Sequence, residues 1–239
     1  MIALFLGFTL FSAAPGLCAP APLDAEIAAA LRRAIPCEKL EVKTKATETG
    51  SGKLTSLLIK FTSVSNRILP ADYITVQYAN PLIDLAALKA SGAFHVTSYS
   101  DFKIGVLVSA QTLKNEFAKT AKRLNMPYNK FSIKFTPPYV ELEFDIPAGG
   151  ISPEHRQIVE KYVKNKKFEG YAALRLELRD NMIIASPAKV ILNHFLLPTP
   201  VVDEIARRVN PLYHIPRIRP FDYSLERVGV QQKYIFFGN

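Results

Sequence analysis

The run LLPTPVVDEIARRVNPL, residues 196–212, decides how the rest of the chain is read. Thr199 is placed to cap a helix, and Pro200 stands at its first position, where a missing N–H costs nothing. The helix predicted over Val201–Val209 sets Val202, Ile205 and Val209 on one face, with Glu204, Arg207 and Arg208 elsewhere. Asn210-Pro211 ends it, because proline drives the preceding residue out of the α region. Two β-rich runs follow, Phe221–Val228 and Tyr234–Phe237, separated by the polar turn Gln231-Gln232-Lys233. A narrow apolar stripe needs an apolar bed, and a sheet is the simplest one the sequence offers.

The preceding chain supplies that sheet. Leu57, Ile59 and Phe61 alternate with Leu58, Lys60 and Thr62, the pattern of a half-buried strand over Leu54–Val64. Similar signals fall at Leu40–Thr44, Tyr73–Ala79, Leu82–Leu85, Phe94–Ser100, Phe102–Ser109, Phe131–Phe135, Val140–Ile146, Tyr171–Leu178, Met182–Ala185 and Lys189–Leu192. Asp180-Asn181 tolerates positive φ and predicts a tight hairpin turn. Helices are expected at Pro22–Ile35, at Ala110–Leu124 with Leu113, Phe117 and Ala121 in its stripe, and from Ser152 to the basic end at Lys167. Most connections are too short for crossover helices, so neighbouring strands should run antiparallel.

The 239 residues are 49% hydrophobic, ample for a substantial core. Thirty Lys and Arg against 21 Asp and Glu give +9, a surplus that favours anionic partners such as nucleic acid or phospholipid headgroups. Residues 1–18 read as a secretory signal peptide: Ile2–Ala14 is apolar, and small residues follow. The basic start usual in such signals is missing here. That leaves residues 22–239 as one domain of the periplasm, cell envelope or exterior. Cleavage before Cys18 allows a disulfide with Cys37, and cleavage after it leaves Cys37 a lone thiol.

Nothing in the sequence announces catalysis. His95, His155, His194 and His214 are far apart, with no zinc or calcium spacing, so no metal is expected. Phosphate-loop, dinucleotide and G-x-S-x-G signatures are absent, so no cofactor or enzymatic role is expected either. Glu141, Glu143 and Asp145 share one face of one strand and read as a solvent face. The basic residues are dispersed without a ribonucleoprotein or helix-turn-helix motif, which argues against nucleic acid.

The signal segment, the helix Ala28–Arg33, the run ITVQYANPLIDL at 74–85 and Asn210-Pro211-Leu212 before the closing strand pair resemble the LmeA family of phospholipid-binding envelope proteins. The resemblance implies an α+β fold like that of tubular lipid-binding (TULIP) domains, a curved antiparallel sheet wrapped around one or more amphipathic helices. It also implies a phospholipid or other acyl-lipid ligand held in an apolar groove, and the +9 charge adds an anionic membrane surface as a further expected partner. The apolar faces nominate Phe61, Phe94, Phe102, Ile104, Leu113, Phe117, Val202 and Ile205 as lipid-contacting residues. The competing expectation is a non-enzymatic envelope scaffold in which the same residues are close-packed core.

Overall fold

A computed structural model describes residues 22–46, 51–64, 70–123, 125, 127–147, 167–215, 220–221 and 224–239. The predicted signal segment and nearly all of the Ser152–Lys167 helix lie outside the described residues. The chain begins with α1 (Pro22–Ala34), β1 (Cys37–Ala46), β2 (Leu54–Val64), β3 (Ala71–Ala79), β4 (Leu82–Ile83), α2 (Leu85–Ser91), β5 (Val96–Ser98) and β6 (Asp101–Ser109). Then come α3 (Ala110–Arg123), β7 (Lys130–Thr136), β8 (Tyr139–Pro147), β9 (Lys167–Arg179), β10 (Met182–Leu192) and β11 (Phe195–Leu196). It closes with α4 (Thr199–Val209), β12 (Tyr213–His214), β13 (Arg227–Val230) and β14 (Tyr234–Gly238).

The strands form an α+β fold of antiparallel sheets, and there are two large sheets rather than one. The first has the order β1-β2-β3-β6-β14-β13, the second the order β11-β10-β9-β8-β7, with β12 also paired to β10 and β4-β5 a small separate hairpin. The second sheet is therefore an insertion between β6 and β14, strands that pair with each other in the first.

Alternation decides which face of the first sheet is buried. Phe61 lies opposite Ile74, Ile74 opposite Val106 and Val106 opposite Phe237, a row that crosses four strands. All four side chains are buried, as are Ile59, Val76 and Ile104 in the next row. Helix α1 lies along β1 and buries Ile27, Ala30 and Leu31. In its first turn Asp24 accepts hydrogen bonds from the backbone N (3.0 Å) and Oγ1 (2.6 Å) of Thr44, which ties helix to strand.

The turn at Asp180-Asn181 has positive φ at both residues, 51° and 59°, as the sequence predicted. β9 and β10 are longer than expected, and Lys189–Leu192 belongs to β10, continuing it past an irregularity at Pro187. Helix α2 was not foreseen. The Asp84 carboxylate accepts from the N–H of Ala87 at 2.8 Å to cap it, and Gly92 ends it in the left-handed region. α4 starts two residues before the predicted Val201, because the Pro198 carbonyl accepts from Val201 and Val202 (3.0 and 3.1 Å) and leaves Thr199 inside the helix rather than capping it. The strand expected over Phe221–Val228 is confined to β13, and Phe221 instead plugs the core edge-on to Phe61 and Phe94.

The two faces of the first sheet should respond differently to substitution. Ile104→Ala removes buried volume and should lower unfolding free energy by about 2–5 kcal/mol, whereas Lys60→Ala on the exposed face should change it by less than about 0.5 kcal/mol. Urea denaturation of the two variants checks the difference.

Candidate apolar binding face

The second sheet separates its residues by chemistry more completely than the first. Register puts Phe131, Ile133 and Phe135 of β7 level with Phe144, Leu142 and Val140 of β8. These in turn lie opposite Gly170, Ala172 and Leu174 of β9. Leu176 and Leu178 of β9 continue the same side, facing Ala185 and Ile183 of β10. Directly opposed residues point to the same side of a sheet, so one face is apolar throughout.

The opposite face is charged along β7 and β8 and over part of β9, and mixed on β10. Lys130 bonds the Glu143 carboxylate at 3.0 Å, Arg179 bonds Glu177 at 2.7 Å, and Asn129 bonds Asp145 at 3.2 Å. The hydrogen bond and positive charge of Lys130 hold the Glu143 carboxyl below its ordinary value. Glu141, Glu143 and Asp145 stand together here, and the ion pairing of Glu143 with Lys130 fits the solvent face the sequence suggested.

The apolar face is covered unevenly. At the Asp180-Asn181 end, Phe135 and Val140 are buried, and Ile133, Leu142, Leu176, Leu178 and Ile183 pack against the core of the first sheet. Away from that join, Phe131, Phe144, Ile146, Ala172, Val190 and Leu192 retain contact with water, as does Leu174 level with Val140, whereas Phe168 at the far end of β9 is buried. Helix α3 lies against β7 and β6, with Phe117 stacked on Phe131 at 3.6 Å and 18° between planes. Leu113 and Phe117 in the helix stripe are likewise only half-buried. Burial, followed by the nearby Glu116 carboxylate of α3, raises the phenol of Tyr213 on β12. That proximity extends the helix's reach from the β7 side toward β12.

Gly170 forms part of the floor. A Cβ there would come within 2.0 Å of the tip of the Phe144 ring, so the absence of a side chain is what lets the ring lie across β9.

The eight residues nominated from sequence divide into three groups. Phe61, Phe94 and Ile104 are enclosed in the first sheet's core, and Phe102 is half-buried among Tyr78 and Tyr99 at the same sheet. Leu113 and Phe117 meet the apolar face of the second sheet. Val202 is buried and Ile205 exposed on α4, which packs on β10. Sequence reasoning missed Leu142, Phe144, Ala172 and Leu174. The signal was available in β8, where the same alternation that isolates three carboxylates leaves Val140, Leu142, Phe144 and Ile146 on the other side.

Cys37 is a free, partly buried thiol beside a shallow, open depression lined by Arg32, Pro36, Glu38 and Ser63; burial raises it and the Arg32 charge opposes that. Among the described residues, no group of three His, Cys, Asp or Glu could hold a metal ion, and no helix is long and apolar enough to cross a membrane. No family model, curated protein or solved structure matches the chain.

Gly170→Ala should force the Phe144 ring off the floor and cost about 1–3 kcal/mol, visible as a shift of the Phe144 ring protons by NMR and a lower unfolding midpoint. Lys130→Met should raise the Glu143 pKa toward its ordinary value in a carboxyl NMR titration. Because the folded value is the depressed one, the pair's small stabilisation is present above the unfolded pKa and is lost as pH falls through the folded pKa.

Proposed function

We propose that the protein binds phospholipid or another acyl lipid along the apolar face of the second sheet, with α3 beside the chains, in the manner of the LmeA family and TULIP domains that its sequence resembles. The observation that carries this reading is the contrast between the sheets. The inward side chains of the first close on one another, while those of the second, away from the join, keep a water-accessible apolar surface from β7 to β10. Apolar residues of α3 lie against that surface without sealing it. β9 alone has 13 residues, about 40 Å of extended chain. That exceeds the roughly 15 Å depth of half a bilayer's hydrocarbon. Each methylene moved from water onto such a face gains about 0.8 kcal/mol before ordering costs.

The role we infer is carriage or holding of lipid without catalysis, in the periplasm or cell envelope. The closed packing around Phe61, Phe94 and Ile104 favours the scaffold reading for the first sheet, which in our view serves as the platform that holds the second.

Native mass spectrometry of the purified protein, followed by lipid extraction, should find bound acyl lipid. Phe117→Ser and Phe144→Ser should each reduce lipid content several-fold while the lipid-free protein stays folded, the lipid-free state being needed because bound ligand raises apparent stability. A wild-type protein that neither carries nor takes up lipid, together with variants that unfold, replaces this reading with the scaffold.

A further inference from the structure

Register continues the apolar face to the outside of the molecule. Phe131 opposes Phe144, Phe144 opposes Gly170, Gly170 opposes Leu192 and Leu192 opposes Phe195, one row across all five strands of the second sheet. At one end Phe131 is covered by the Phe117 ring. At the other, Phe195 is 70% exposed and its neighbour Leu196 is 65% exposed.

The projecting turn is firmly held. Asn193 and His194 both have positive φ, 46° and 69°, and reverse the chain within two residues. Asn193 donates its backbone N–H to the Glu169 carbonyl at 2.7 Å, and its side-chain oxygen accepts from the Glu169 N–H at 2.8 Å. Leu197 donates to the Val190 carbonyl at 3.0 Å on the far side. Three other exposed apolar side chains belong to elements attached to β10, Ile205 on α4 and, at the other end of the strand, Leu212 and Tyr213 at β12, while Tyr73, Tyr99 and Tyr128 are exposed elsewhere.

We infer that the β10-β11 hairpin, with Phe195 and Leu196 exposed on its edge strand just past the turn, inserts into an anionic phospholipid bilayer and sets the apolar face at the membrane surface. The inference rests on the acyl-lipid reading above, and identifies where chains enter. The occupant follows from shape and charge. A two-residue edge strand is too short to template a strand of another protein, while exposed apolar side chains on both faces of a hairpin end, Phe195 on the apolar face and Leu196 on the other, suit a fluid apolar phase. The chain's +9 charge draws it to anionic headgroups, an attraction that salt screens.

The chain contains no tryptophan, so the indole of F195W reports from the tip alone. With phosphatidylglycerol vesicles its emission should shift to the blue and be quenched by lipids brominated in the acyl chain, whereas Y99W on the first-sheet side should not respond. The double variant F195D/L196D should bind these vesicles at least tenfold more weakly while its thermal unfolding midpoint stays that of the wild type. Unchanged F195W emission on vesicles that bind the protein overturns the insertion and leaves lipid content, the readout of the acyl-lipid reading, unaffected. A dimer in sedimentation that F195D dissociates also overturns it, because the tip is then covered by a second copy of the chain.

Discussion

Two asparagine side chains fasten the second sheet to the rest of the molecule. Asn181, in the β9-β10 turn, accepts from Leu225 through its side-chain oxygen at 2.9 Å and from Ile215 through its carbonyl at 2.8 Å. Asn210 pairs with Ala185 of β10 as another strand would, accepting from its N–H and donating to its carbonyl, both at 2.8 Å. A strand's backbone groups must find partners when water is excluded, and here amides on side chains supply them where no strand continues. Residues 210–215 and Leu225 are thereby held at one end of the second sheet, and Ile215 and Leu225 are buried there. Without this join, each sheet would present an apolar face with too little to cover it.

The join also explains the gradient of burial along the second sheet. Near it, the core of the first sheet covers Phe135, Val140 and their neighbours. Farther out, α3 and α4 lie toward opposite edges, against β7 and β10, and the middle strands β8 and β9 face the space between. At Gly170 the Phe144 ring fills the room a side chain would take, and Ala172, one row along β9, carries only a methyl. Among the described residues, α3 and α4 meet the outer strands of this sheet, and Phe131, Phe144 and Leu192 stay partly open to water.

Much of this was legible in sequence because strand alternation is a local signal. The buried face of β2, the stripe of α3 and the Asp180-Asn181 turn all follow from residues within a few positions of one another. Pairing is not local, and the division into two sheets could not be read from strands that look alike. Ranking by size and apolarity favoured Phe61 and Phe94, but large side chains are what a closed core also selects. In β8 the charged side drew the reading, and its apolar complement went unused although it carried the same information. Helix α2 escaped because its seven residues continue an apolar run that already reads as strand, with only Asp84 and Gly92 to mark its limits. The exposed tip at Phe195 was invisible for a different reason: LNHFLL has the composition of buried chain, and only the pairing across Asn193-His194 turns it outward.

The topology imposes an order on assembly. β7 to β10 form a meander whose neighbours in sequence are neighbours in space, so this sheet can close its own hydrogen bonds as soon as residue 192 has been made. The first sheet cannot. β6 ends at Ser109, and its partner β14 begins at Tyr234, so one side of β6 has no mate until synthesis reaches the last residues of the chain. Throughout that interval the nascent protein exposes an open strand edge beside an apolar face, the condition most prone to wrong pairing. Completion then falls to five residues, Tyr-Ile-Phe-Phe-Gly, whose two buried side chains Ile235 and Phe237 lock the edge as they enter the core. Synthesis that stopped before Tyr234 would release a molecule with the second sheet intact and a first sheet that cannot close.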